Sequence, residues 1–269
     1  MARRQTLAGE EQQQTPARRK PEKMHPMKYK KSFYNGQTSD SAAKEIVPFL
    51  LEHIGPCSVV DVGCGVGRWL SVWMHFGVDN ILGMDRDVGI EQLVIPPECF
   101  NRRDLTLPFT LERTFDLAMC MEVAEHLPES AAATFIQSLT ALSDIVLFSA
   151  AIPLQGGTHH VNCQWQSYWA AHFLNAGFLP LDVIRARFWK NDKVWPGFRQ
   201  NMILYVRKEK HPSVSMCFKD LPVCPMMDIV HPQSYVNISP QHAFLRDILK
   251  GLPTALWRTF KSRMLFWRK

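Results

Sequence analysis

The fold of this 269-residue chain is decided by the stretch Val59-Val-Asp-Val-Gly-Cys-Gly-Val-Gly67. Together with the preceding Ser58, its first four residues form a short, mostly β-branched run, Ser58–Val62, which predicts a buried strand. The glycines predict a tight turn, and the apolar spacing from Trp69 to Phe76 predicts a helix after it. A glycine-rich turn between a strand and a helix brings the backbone close to a ligand and presents its N–H groups. The stretch therefore predicts a nucleotide-type ligand at the first turn of an α/β domain.

The alternation of strand and helix extends on both sides of this turn, beginning with a helix from Ser41 to about Gly55. Further strands are predicted at 81–84, 98–101, 115–121 and 145–148, and helices at 90–93, 131–142 and 167–176. Units of this length form a parallel sheet covered by helices on both faces. Two later β-rich runs, 181–188 and 202–206, are separated by a loop in which we expect no helix. They are therefore predicted to be antiparallel partners.

The spacing of the glycines distinguishes between nucleotide ligands. A dinucleotide-binding turn has its third glycine three positions after the second, but Arg68 stands there and the pattern is G-x-G-x-G. Asp61 lies inside the end of the strand, where a carboxylate repels a pyrophosphate and attracts an ammonium group. S-adenosylmethionine carries both an ammonium group and a ribose diol. Asp85 follows on the next strand as an acceptor for ribose hydroxyls, and Asp104 comes later as an acceptor for the adenine amino group.

These segments resemble a known family. The sequences VVDVGCGVG (59–67), GMD (83–85), RDL (103–105) and FDLAMCMEVAEHL (115–127) are similar in order and spacing to class I S-adenosylmethionine-dependent methyltransferases. The resemblance covers residues 40–208 and implies a Rossmann-like α/β fold. In that fold a seven-stranded, mostly parallel sheet has helices on both faces and an antiparallel last strand. The segment GGTHHVNCQWQSYW (156–169) further resembles uncharacterised bacterial methyltransferases of the small-molecule or glycan type.

The resemblance also implies which residues form the site. The cofactor contacts that it implies, to S-adenosyl-L-methionine, are Asp61, Gly63, Gly65, Gly67, Asp85 and Asp104. Glu122 is a further expected cofactor contact, because the fourth strand delivers it to the front edge of the site. His160 and His126 are the predicted catalytic residues, because histidine is the side chain best matched to accepting a proton at neutral pH. We expect Glu122 and His126 on one face of a helical turn, where capping or a surface ion pair is the alternative role. A solvated loop position is the alternative for His160, and no metal site is predicted.

Other side chains near this region have two interpretations each. Arg185 and Arg187 are predicted on one face of a strand, where they either grip an anionic substrate group or are solvated. Trp165, Tyr168 and Trp169 either pack the loop against the sheet or stack on a substrate.

The expected function is methyl transfer to an oxygen or nitrogen of a small molecule, such as a sugar or a secondary metabolite. Two alternatives remain open: a membrane-recruited, non-catalytic cofactor-binding scaffold, and a protein or RNA methyltransferase. The fourth strand continues with Glu122-Val123, whereas adenine-methylating members of the family have Asn or Asp followed by Pro-Pro-Tyr. This difference argues against methylation of a flipped base amine, and it disfavours a nucleic-acid partner. The sequence does not predict the oligomeric state.

Charge is distributed unevenly along the chain, whose formal net charge is +6. Residues 1–31 carry nine basic and three acidic side chains, and residues 241–269 carry seven basic and one acidic. The central part is therefore acidic, which argues against a nucleic-acid groove in the folded domain. Any anionic partner is expected to meet the ends of the chain.

Three regions are predicted from this pattern: a disordered basic tail at 1–31, a methyltransferase domain at 32–208 and a C-terminal extension at 209–269. Within the extension, residues 252–269 have the apolar stripe and opposite basic face of an interfacial helix. Peripheral membrane contact and docking on the domain or a partner are both open for that helix. The polar N-terminus lacks the apolar segment of a secretory signal, which predicts a cytoplasmic protein.

Overall fold

The computed structural model describes residues 38–238. Its strands are β1 (Ser58–Val62), β2 (Asn80–Asp85), β3 (Phe100–Arg102), β4 (Leu117–Met121), β5 (Ile145–Ser149), β6 (Phe178–Leu181) and β7 (Ile203–Arg207). Its α-helices are α1 (Thr38–His53), α2 (Arg68–His75), α3 (Ala132–Thr140), α4 (Gln166–Asn175), α5 (Val183–Phe188), α6 (Pro196–Asn201), α7 (His211–Met216) and α8 (Pro232–Ile238).

The strands form one sheet in the order β3-β2-β1-β4-β5-β7-β6. The β1 strand pairs in parallel with β2 and β4, whereas β7 runs antiparallel to both of its neighbours. Chain order reverses at β1, where β2 lies on one side and β4 on the other. Ligands of open α/β sheets bind at such a switch point, at the carboxyl ends of the strands. The predicted Rossmann-like, seven-stranded sheet with an antiparallel last strand is confirmed.

Alternate residues of β1 face opposite sides of the sheet. Val59 lies in a buried cluster with Leu50 of α1 and Trp73 of α2. Val60 lies in a second cluster with Phe135 of α3. The apolar run in β1 is therefore buried on both faces, as expected for a central parallel strand.

The prediction for residues 181–188 was wrong in part. Only Leu181 belongs to β6, while Val183–Phe188 forms α5, and Pro196–Asn201 forms a further helix where none was expected. The short run fits both periodicities, because Ile184 and Phe188 are spaced four apart as well as lying in an apolar stretch. In the structure most side chains of α5 are buried, and this tertiary packing favours the helix over a strand. The antiparallel pairing of the last two strands is confirmed.

The described part of the predicted C-terminal extension is hydrogen-bonded to the domain. The Cys224 N–H donates to the Asp182 carbonyl at 3.0 Å, and the Ser167 hydroxyl donates to the Asp228 carboxylate at 2.7 Å. The predicted tail at 1–31 and helix at 252–269 lie outside the described residues. No helix in the described part of the chain is long and apolar enough to cross a membrane.

Candidate active site

A cavity of about 520 Å³ opens at the carboxyl ends of β1, β2 and β4. The loop after β5 and the helix α6 complete its wall. The predicted site residues that line it are Asp61, Gly63, Gly65, Asp85, Asp104, Glu122, His126 and His160. Gly67 is not among its lining residues and instead precedes α2 in a left-handed conformation, with φ of 89°. The structure therefore brings most of the predicted residues into one volume.

The glycine turn follows β1 and is tied to the end of β2. The Gly63 N–H donates to the Met84 carbonyl at 2.7 Å, and the Gly65 N–H donates to Oδ2 of Asp85 at 3.0 Å. Gly63 has φ of 85°, and a Cβ built there would lie 2.3 Å from Cγ2 of Val123. A side chain at this position would therefore be strained and would collide with the chain after β4.

Two buried carboxyl groups lie at the ends of β1 and β2, next to this turn. Asp61 is 2% exposed, and its Oδ1 has no hydrogen-bond partner among the described residues. Burial, together with the nearby charge of Asp85, raises the pKa of Asp61 to about 7. Asp85 accepts hydrogen bonds from the Gly65 and Asp87 N–H groups, yet burial still raises its pKa. Without a ligand, burial therefore favours the protonated form of both carboxyl groups. A cationic ligand would stabilise their ionised forms.

Asp104 stands at the cavity after β3 as a fixed acceptor. Its Oδ1 accepts from the Thr106 N–H at 3.0 Å and from the Thr106 hydroxyl at 2.7 Å, and Nη1 of Arg86 lies 3.4 Å from Oδ2. Burial raises the pKa of Asp104, but these hydrogen bonds and the Arg86 charge outweigh burial and lower it overall. The carboxylate is therefore ionised at neutral pH.

Glu122 and His126 both line the cavity, but the predicted shared helical face was wrong. Glu122 has φ of 55°, and the helical turn that follows is a short 3₁₀ turn over Ala124–His126. Glu122 therefore lies outside that turn, and its side chain faces the loop after β5 and the helix α6. There its carboxylate accepts from the Gln155 amide at 2.9 Å and from the Asn201 amide at 3.2 Å.

The loop after β5 folds back onto this turn and places His160 beside it. The Glu125 carbonyl accepts hydrogen bonds from the Val161 N–H at 2.9 Å and the Asn162 N–H at 3.0 Å. Nε2 of His160 consequently lies 3.9 Å from Oε1 of Glu125. The rings of His126 and His160 meet edge to face, with centroids 4.8 Å apart. Two predicted catalytic residues and one unpredicted carboxyl group thus form a cluster.

Burial controls the protonation of this cluster. Burial lowers the pKa of His126 to about 4, with a contribution from His160, and burial lowers the pKa of His160 as well. Burial and the neighbouring Glu122 charge raise the pKa of Glu125 well above its usual value. At neutral pH both imidazoles are therefore neutral and offer lone pairs to a proton or a cation.

Sequence reasoning missed several residues of the site. Glu125 is completely buried, and Gln155 and Asn201 bind Glu122, although none of the three was a candidate. The spacing E-x-x-E-H at 122–126 is the signal for Glu125, because it places a second carboxyl group within four residues of the end of β4, at the edge of the sheet where the cavity opens. His159, next to His160, is exposed and does not line the cavity.

The two interpretations offered for Arg185 were both wrong. Arg185 lies on a helix and is 1% exposed, and its guanidinium is paired with Asp182 through Nε at 2.6 Å. It therefore neither grips a substrate nor meets solvent, whereas Arg187 is exposed.

The three aromatic side chains after the loop are not among the residues that line the cavity. Trp169 is 2% exposed and packs on Phe148, with ring centroids 5.4 Å apart. Tyr168 packs edge to face on Trp169 at 5.0 Å, and Trp165 is exposed. The packing interpretation therefore describes Trp169 and Tyr168, since both rings pack against neighbouring aromatic rings.

Comparisons with known proteins agree with this geometry. A family model described as a methyltransferase domain matches residues 34–188, which is more than half of the chain. A search of curated proteins gave no match. The solved structure of DesVI from Streptomyces venezuelae has a TM-score of 0.50 at 14% identity, covering 65% of this chain and 95% of DesVI. The sugar N-methyltransferase KedS8 from Streptoalloteichus sp. ATCC 53650 has a TM-score of 0.50 at 16% identity, with coverages of 66% and 92%.

At these identities the two structures establish likeness of fold alone. The family match covers the glycine turn, the ends of β1, β2 and β4, and the loop that carries His160. The chain therefore belongs to the methyltransferase-domain family and is an S-adenosylmethionine-dependent methyltransferase.

Proposed function

We propose that the protein methylates an oxygen or nitrogen atom of a small molecule, with a sugar or a secondary metabolite as the acceptor class. One observation carries this proposal: a single cavity holds acidic groups under a glycine turn and a neutral histidine pair beside a carboxyl group. The first set suits a cationic nucleoside, and the second suits a polar acceptor. The structural likeness to a sugar N-methyltransferase supports a sugar as one candidate acceptor.

The cofactor contacts follow from groups that lack partners or present spare lone pairs. Asp61 has a buried oxygen without a hydrogen-bond partner in the described structure, which suits the ammonium group. Asp85 lies at the end of β2, where its carboxylate would accept from the ribose hydroxyls. Asp104 would accept from the adenine amino group, and Gly63 and Gly65 allow close approach of the backbone. When bound, S-adenosylmethionine supplies an electrophilic methyl group on a sulfonium.

The protein's main contribution to such a reaction is alignment of the two reactants. Holding reacting atoms in a near-attack geometry contributes about 7–11 kcal/mol to lowering a barrier. Glu122 is held by Gln155 and Asn201, so its carboxylate has a fixed position in the wall of the cavity. His126 and His160 then face the acceptor and either take its proton or orient the group that does.

Replacing Asp85 with alanine is expected to weaken S-adenosylmethionine binding by about 10- to 100-fold, because charge-assisted hydrogen bonds contribute about 1.5–3 kcal/mol. Isothermal titration calorimetry measures the change. Asp79→Ala is the matched control, since this exposed carboxylate lies just before the other end of β2. Equal affinities of a folded Asp85→Ala variant and the wild type would remove Asp85 from the cofactor site.

Cofactor binding is expected to release a proton from Asp61. With a pKa of about 7, this carboxyl group is about nine-tenths protonated at pH 6, and an ammonium ligand favours its ionised form. The affinity should therefore rise between pH 6 and pH 7. Calorimetry in buffers of different ionisation enthalpy counts the released proton, and Asp61→Asn should abolish the release. Undiminished release by that variant would assign the proton to another group.

The acceptor class is tested by transfer of a labelled methyl group from S-adenosylmethionine to a panel of hydroxylated and aminated sugars and aglycones. Formation of S-adenosylhomocysteine in step with labelled product supports the proposal. If only protein or RNA in an extract becomes labelled, the small-molecule assignment is wrong.

A further inference from the structure

We propose that Glu125, His126 and His160 bind a divalent transition-metal cation, which holds and activates a hydroxyl group of the acceptor. The metal site is argued from the cluster itself, whereas its catalytic use rests on the proposed function. This inference revises the sequence-based expectation that the chain has no metal site.

The three side chains offer one ligand atom each within 4.8 Å of one another. They come from two separate segments, the turn after β4 and the loop after β5. Backbone hydrogen bonds from Val161 and Asn162 to the Glu125 carbonyl hold these segments together. Two ligands of a tetrahedral cation at about 2.1 Å lie about 3.4 Å apart. The 3.9 Å between Nε2 of His160 and Oε1 of Glu125 is therefore close to what a bound cation requires.

A separate observation points to a ligand at this position. Glu125 is 0% exposed, and neither carboxyl oxygen makes a hydrogen bond among the described residues, although the Ala151 N–H and the Glu122 carboxyl group lie near enough to affect its pKa. Buried polar side chains almost always have partners, because an unpaired one is costly. A cation in contact with Glu125 would satisfy this carboxyl group and also balance the neighbouring charge of Glu122.

The orientation of His160 suits the same purpose. The Cys163 thiol lies 3.5 Å from Nδ1 of His160, which leaves Nε2 on the side of Glu125. A Cβ at Gly157 would lie 2.1 Å from Nε2, so the ring occupies its place only because residue 157 is glycine. A contact to the other ring nitrogen is the usual way in which a ligand histidine is oriented.

The donor set indicates the kind of cation. Two imidazoles and one carboxylate bind zinc in hydrolytic enzymes and iron in oxygenases, and in both they leave coordination positions open. Since all three donors line the cavity, an open position would be accessible to an acceptor placed there. Lewis-acid action at that position lowers the pKa of a bound hydroxyl group.

This chemistry favours oxygen over nitrogen as the methylated atom. An amine that binds a cation commits its one lone pair and loses its nucleophilicity, whereas a hydroxyl oxygen keeps a second pair. In the reaction the hydroxyl proton passes to water, and the oxygen forms a bond to the methyl carbon. The carbon–sulfur bond breaks with its electrons on sulfur. The products are a methyl ether, S-adenosylhomocysteine and one proton.

The test is a titration of the untagged, full-length, chelator-treated protein with Co²⁺ alone, followed by visible absorption and by calorimetry. Wild-type protein should bind one equivalent with a d–d spectrum typical of mixed nitrogen and oxygen ligands. Glu125→Gln, which keeps the shape of the side chain, should weaken binding by roughly 100-fold or more. His159→Asn is the matched control and should bind as the wild type does, because His159 is exposed beside the cluster.

Circular dichroism establishes whether each variant folds. If Glu125→Gln fails to fold, His160→Ala on the loop replaces it and should show the same loss. The inference is overturned if wild-type protein binds no Co²⁺ below millimolar concentration, or if the folded variants bind it as tightly as the wild type.

The effect of the metal on catalysis is measured in a separate experiment, so that the metal site and the proposed function can be refuted independently. Chelator-treated enzyme should lose O-methylation of the acceptor and regain it with the metal. Cobalt binding at the cluster without any small-molecule methylation would refute the proposed function and leave the metal site standing. Methylation that is unaffected by metal removal, together with no cobalt binding, would refute this inference and leave the proposed function intact.

Discussion

Replacing Arg185 with alanine is expected to lower the free energy of unfolding by about 3–5 kcal/mol, the usual cost of removing one partner of a buried ion pair. Arg185 and Asp182 are 1% and 4% exposed, so solvent screens their interaction little. The guanidinium also donates to the carbonyls of Met226 and Met227 at 2.8 and 2.7 Å. Its loss would leave a buried carboxylate without its main partner and free the segment that follows α7.

Urea or thermal unfolding of both proteins measures this change. Arg187→Ala is the matched control, because this arginine lies on the same helix but is exposed. Its effect should stay within about 0.5 kcal/mol, as is usual for surface substitutions. If the Arg185→Ala protein has unchanged stability but reduced activity, Arg185 instead acts in substrate binding.

Arg185 also illustrates where sequence reasoning fails. The run 181–188 alternates well enough for a strand, and its arginines look alike when read along the chain. What separates them is tertiary: Asp182 sits one helical turn before Arg185, and the carbonyls of residues 226–227 return from more than 40 positions away. Periodicity carries no information about such distant partners.

The first half of the domain was far more predictable. The β1 strand is Ser58–Val62 as predicted, and Asp61, Gly63 and Asp85 reach one cavity because parallel strands end at one edge of a sheet. These positions are set by local turns and by strand order. Residues that depend on a loop folding back, such as Gln155, or on α6, such as Asn201, were not found. Their contacts to Glu122 are fixed by tertiary packing alone.

His160 was predictable only in part. The sequence pointed to its loop as a functional segment, but it did not reveal the residues that His160 contacts. A loop histidine has no periodicity that places it, and the sequence alone leaves a solvated role open. The structure shows the ring facing Glu125 and meeting His126, while the adjacent His159 is exposed. Two neighbouring histidines with opposite environments provide an internal comparison for function.

Replacing His160 with alanine is expected to lower kcat for methyl transfer by about 100- to 10,000-fold, the usual range for losing a group that acts on the transferred proton. The expectation is the same whether the imidazole takes that proton itself or holds the cation that activates the hydroxyl group. The Kd of S-adenosylmethionine should change by less than about threefold, because Asp61 and Asp85 lie on β1 and β2, away from the loop that carries His160.

Single-turnover methyl transfer with the identified acceptor measures the chemical step, and calorimetry measures cofactor binding. His159→Asn serves as the control, since asparagine tolerates the left-handed backbone of residue 159, whose φ is 61°. That variant should retain wild-type kcat. A His160→Ala enzyme with normal turnover would show that the loop histidine only packs at the cavity wall. An equal loss in both variants would point to the conformation of the loop, because the His160 side chain belongs to the cluster of ligand atoms and the His159 side chain does not.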